Sequence, residues 1–226
     1  MASIEEKIDF FCSYFADQAK VIGALAVDEA QAEGTDQERH QIRFYQKALL
    51  ITHIDTLAGI RYTEKRYPQL NKRNKERFIQ FLEVSEAWPE GQLVSIPFLE
   101  GYIKNGKIGA GRLKNHITEK LAANYKKGSF NIKASIIDDP YDFLLGLSST
   151  EQEEKAINEN RHYELLYRYR NYLVHESREP GNAMEVAPEN EAYYHGYIGE
   201  DRLFLAYPLG LFQQIFARSL EYVRTY

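Results

Sequence analysis

An arginine, an amide and a histidine stand within six residues of one another in Arg170-Asn171-Tyr172-Leu173-Val174-His175. Arginine is a permanent cation whose forked donors match phosphate oxygens. Histidine is the side chain that exchanges a proton near neutral pH. Asparagine can orient either group. Together they form a kit for cleaving RNA without a metal ion. The imidazole moves a proton and the guanidinium stabilises charge that builds on phosphorus.

A helix must position this trio. Thr150 and Glu153 make a capping-box pattern, which predicts a helix over Glu151–Glu176. At about 100° per residue, Leu165, Leu166, Tyr169, Tyr172 and Leu173 share its core face. Arg168, Asn171 and His175 share another, and Arg170 is long enough to reach it. His175 is therefore not a core histidine by periodicity. The plainer alternative is a solvated helix C-terminus, where the dipole favours Arg and His.

The rest of the chain reads as helices around that one. Ser3 and Glu6 cap a first helix with Ile8, Phe11, Phe15, Ile22 and Leu25 inward, ending near Gly34. A second, over Asp36–Arg61, is apolar nearly all round in its later half, the mark of a central helix. His53 and Asp55 lie inside that half. They read as a satisfied polar pair or a rim position, with backing of an active site as the functional alternative. Further helices are expected over Asn71–Trp88 and over Arg112–Lys127, the latter ended by Gly128.

Between them, residues 89–112 read as a basic, glycine-rich loop insertion, with a short helix around Pro97–Tyr102. No Gly-Lys-Ser/Thr follows, so it is not a P-loop. Phe130–Ile137 is weakly β, Asp138-Asp139-Pro140 signals a turn, and Asn182–Glu191 is a polar loop. Residues 192–206 read as a hairpin around Gly199-Glu200-Asp201, and Pro208 can open a final helix. The expected fold is a single all-α bundle over 1–226 with this small β excursion.

Composition limits the options. One cysteine, Cys12, excludes an internal disulfide framework and a cysteine-based zinc site, and its apolar setting predicts burial. The histidines show no H-x-x-x-H or H-E-x-x-H spacing, and no G-x-S-x-G elbow is present. No metal and no cofactor is expected. The start of the chain shows no signal-peptide pattern, and no apolar run approaches a membrane span, so a cytoplasmic location is expected. Net charge is −5, but residues 61–133 hold 15 Lys/Arg against 7 Asp/Glu. That asymmetry reads equally as an interaction surface or as solvated helix exteriors.

Arg170-Asn171-x-x-x-His175 resembles the R-x(4–6)-H signature of the HEPN superfamily, including the polar residue after the arginine. The element order is similar too, with the motif on a late helix followed by one more amphipathic helix. The resemblance implies a metal-independent endoribonuclease in a toxin or phage-defence role. It implies a homodimer whose two motifs face each other, with Arg170 and His175 catalytic and Asn171 at the polar position. Arg168 lies outside the signature and is expected only as a phosphate contact. An antitoxin-paired branch carries a tyrosine two residues after the histidine; here that position is Ser177. Control by that tyrosine is therefore not expected, and any inhibitory partner is unidentified. The alternative is a non-catalytic HEPN-like module that dimerises or senses a nucleotide.

Overall fold

A computed structural model describes residues 4–25, 36–125, 131–180, 185, 189–196 and 202–225. It is mostly helical, with short strands in two small sheets. Ser3, Gly34, Gly128, the Gly199-Glu200-Asp201 turn and most of the polar stretch 182–191 lie outside the described residues.

Helix α2 (Asp36–Arg61) is the central element. Leu50, Ile51, Ile54, Leu57 and Ala58 are at most 2% exposed, so neighbours cover several sides of it. Those neighbours are α1 (Ile4–Gly23), α3 (Asn74–Val84), α9 (His162–His175) and α10 (Leu209–Arg224). Along α10, Phe212, Phe216, Leu220 and Val223 are buried at three- to four-residue steps. That stripe follows from the 3.6-residue period. Cys12 is fully buried in the same core, as expected.

The segment 89–112 is more ordered than a loop insertion. Pro89–Gln92 forms a 3-10 turn, Leu93–Val94 is strand β1 and Ile96–Lys104 is α4. Ser95 caps α4 by accepting from Phe98 N–H at 3.2 Å, and only 105–111 connects it to α5 (Arg112–Asn124). The expected turn at 138–140 is instead strand β3 (Asp139–Pro140), antiparallel to β1. Ile132–Lys133 is β2, followed by the short α6 (Ala134–Ile137). The hairpin exists as β4 (Tyr193–Gly196) and β5 (Leu203–Ala206), with His195 opposite Phe204, and β2 pairs on the other side of β4. Tyr141–Leu145 is α7.

The helix expected over Glu151–Glu176 is two helices, α8 (Glu151–Glu159) and α9. Asn160 ends α8, its amide donating to the Ala156 carbonyl at 2.7 Å. Arg161 is extended and bridges Val94 of β1. Ser95 N–H then takes the Asn160 carbonyl at 2.9 Å. Helical periodicity continues through the break, so only these distant partners reveal it. A sealed polar hub fixes the start of α9. Asp138 accepts from Ile96 N–H at 3.0 Å and from Tyr194 hydroxyl at 2.7 Å, and lies 2.7 Å from His162 Nε2. Burial pushes the Asp138 carboxyl upward in pKa, and the His162 and Tyr194 hydrogen bonds oppose that.

Candidate functional site

The last turns of α9 bring the predicted trio together. Arg170 Nη1 lies 2.7 Å from His175 Nε2 and donates to Asn171 Oδ1 at 3.1 Å. A guanidinium can only donate, so this contact needs an unprotonated Nε2 and places the neutral imidazole's proton on Nδ1. His175 is exposed, whereas the Arg170 side chain is 14% exposed. An imidazole thus stands at the surface beside a cation held from below.

The holder is Asp55 of α2. Its Oδ2 accepts from Arg170 Nη2 at 2.7 Å. A second arginine shares the carboxylate, since Arg77 Nη2 of α3 is 3.9 Å from Asp55 Oδ1. Two guanidiniums against one carboxylate leave the cluster with a net positive charge, which suits an incoming anion. The Arg170 guanidinium also lies 5.9 Å from the Tyr167 ring centroid. Asp55 is thus paired with Arg170 of the predicted trio rather than with His53. His53 takes the structural one: its Nδ1 contacts the Leu49 carbonyl at 2.6 Å, and its ring packs edge-on against Phe15 and Phe216.

Arg77 carried no motif that could have singled it out. Its only signal was a place in the basic segment, 93 residues before Arg170 in the chain. Arg168 does not join the cluster. It donates to the Glu159 carbonyl and lines a separate cavity with Tyr172. The wheel put Arg168 and His175 on one face, but side-chain length decides the outcome here. Arg170 reaches across to His175, and Arg168 folds back toward α8. Tyr172, expected inward, is half-buried at that cavity.

Part of the charge asymmetry of residues 61–133 is offset in space by carboxylates from elsewhere in the chain. Lys75 pairs with Glu164 at 2.6 Å, Lys120 with Asp139 at 2.9 Å, and Lys133 with Glu191. Glu153, the glutamate of the capping-box pattern, is buried and accepts from Ser149 N–H at 2.7 Å. The His162–Asp138 pair is at most 1% exposed in its side chains, so it is structural. Among the described residues, no group of three or more His, Cys, Asp or Glu is placed to hold a metal ion. None of their helices is long and apolar enough to cross a membrane.

No family model, no curated protein and no solved structure matches this chain. Its functional reading therefore rests on its own residues.

Proposed function

We propose that the chain is a HEPN-like, metal-independent endoribonuclease with Arg170, Asn171 and His175 at its centre. The observation that carries this reading is the 2.7 Å contact between Arg170 and an exposed His175. When a phosphodiester arrives, its oxygens compete for the guanidinium and free the Nε2 lone pair. His175 then takes the proton of the 2′-hydroxyl as that oxygen bonds to phosphorus. The bond from phosphorus to the 5′ oxygen breaks, and the imidazolium returns the proton to it. The products are a 2′,3′-cyclic phosphate and a 5′-hydroxyl. Arg170 stabilises the charge on the five-coordinate phosphorus, and Asn171 holds the guanidinium in place. The homodimer that the reading includes could draw on exposed apolar side chains of α1 and α2, among them Phe10, Tyr14, Tyr45 and Leu49.

Labelled single-stranded RNA incubated with pure protein in EDTA tests this directly. Cleavage should occur, and His175→Ala and Arg170→Ala should each slow it by about a hundred- to ten-thousandfold. Equal traces for wild type and variants would remove the nuclease. The competing reading is a non-catalytic HEPN-like module, and one observation favours it. Arg170 already has a carboxylate partner, Asp55, in its own chain. Under that reading the variants leave RNA intact and alter only association, measured as mass in solution.

A further inference from the structure

We propose that the cavity between α4, α9 and β5 is a nucleotide-binding site, its aromatic walls taking the base and Arg168 and Arg202 taking the phosphate. The cavity has a volume of about 390 Å³. Small-molecule sites span roughly 300–1,000 Å³. Its walls include Tyr102 of α4, Tyr172 of α9, Phe204 of β5 and Tyr207 beyond it. Four rings from α4, α9 and the β5 segment thus converge on one space, and every base presents a π-face to such rings.

The two arginines give the cavity its charge preference. Both are exposed, so they sit at its mouth rather than its floor. The Arg202 guanidinium carbon lies 5.1 Å from the Phe204 ring centroid, which orients its fork beside an aromatic wall. Arg168 spends one donor on the Glu159 carbonyl and has others to offer. Lys107 does not line the cavity but lies 5.3 Å from the ring centroid of Tyr102, which does. The opposing charge is the Glu159 carboxylate, already held by the Tyr102 hydroxyl at 2.9 Å. A neutral apolar ligand would leave the arginines unused, whereas a flat ring bearing a phosphate uses walls and mouth together. The inference stands apart from the nuclease reading, because the cavity shares no lining side chain with the Arg170 cluster.

The protein carries its own reporter. Trp88 is its single tryptophan, and its ring lies 5.7 Å from that of Tyr207. The full chain is titrated at low salt with AMP, GMP, CMP and UMP, and separately with a short 2′-O-methyl oligoribonucleotide that cannot be cleaved. Calorimetry and Trp88 emission are read together. Saturable binding is expected, weakening with salt. Arg168→Ala and Arg202→Ala should each weaken it about ten- to a hundredfold, the scale of a lost charge-assisted hydrogen bond. Arg168→Lys keeps the charge and should weaken it less. Binding of mononucleotides assigns the site to free nucleotide; binding of the oligomer alone assigns it to a nucleotide within RNA. Either supports the proposal. It is overturned if neither probe binds saturably, or if mononucleotide binding, or the oligomer's where it alone binds, is as tight in the double arginine variant as in wild type.

Discussion

Asp55 is the residue on which the geometry of the trio depends. It fixes the Arg170 guanidinium at 2.7 Å, and both side chains are about 15% exposed. Asp55→Asn keeps the shape and removes the charge, leaving two guanidiniums facing each other. The variant should lose about 1–3 kcal/mol in denaturant unfolding. In the cleavage assay it should fall short of wild type without reaching the level of His175→Ala, because the imidazole remains. The trio was legible in the sequence because its members are close neighbours on one helix. Asp55 was visible only as an odd carboxylate in an apolar run. Its partner lies 115 residues away, and no local pattern encodes that separation.

At the scale of elements, the end of α9 matters most to the site. Ser177 follows it with φ of +50°, in the left-handed region. A side chain there costs on the order of 1 kcal/mol, which glycine avoids. Ser177→Gly should therefore raise the melting temperature modestly, provided that the added chain entropy of glycine does not cancel the gain. A lower melting temperature would show that the serine stabilises the turn. Patterning located most helices well: α2 begins and ends where apolar periodicity placed it, and α10 starts directly after Pro208. It missed the break at Asn160–Arg161, because that break is held by backbone partners in β1 and at Ser95. The third helix is also shorter than expected, Asn74–Val84. Glu86, with φ of +49°, lies two residues beyond it.

For the molecule as a whole, the packing of α10 on α2 forms the centre of the core. Phe212 is fully buried there, so Phe212→Ala should cost about 3–5 kcal/mol in chemical unfolding. A cost below 1 kcal/mol would mean that this core is not packed as described. Acid should weaken the fold through His195. Burial lowers the pKa of its imidazole below the ordinary value, although the Glu179 charge opposes the shift. The unfolded chain therefore takes up a proton at a higher pH than the folded one. The stability His195 contributes is present above its unfolded pKa and is lost as pH falls below it. Wild type should lose more melting temperature between pH 7.5 and 5.5 than His195→Phe, whose ring could stack on Phe204 as the imidazole does. Equal losses would place the acid sensitivity elsewhere.

The sequence alone determined the features set by short-range periodicity and residue chemistry. These are the helical character, the central helix, the C-terminal hairpin, the buried Cys12 and the Arg170-Asn171-His175 cluster on a late helix. Tertiary structure decided what depends on groups far apart in the chain. It put Asp55 and Arg77 beneath Arg170, turned Arg168 toward a cavity away from that cluster, divided α8 from α9 and paired some lysines of the basic segment with distant carboxylates. Periodicity tells a side chain which face of its own helix it occupies, but charge and hydrogen-bond partners are selected by packing between elements.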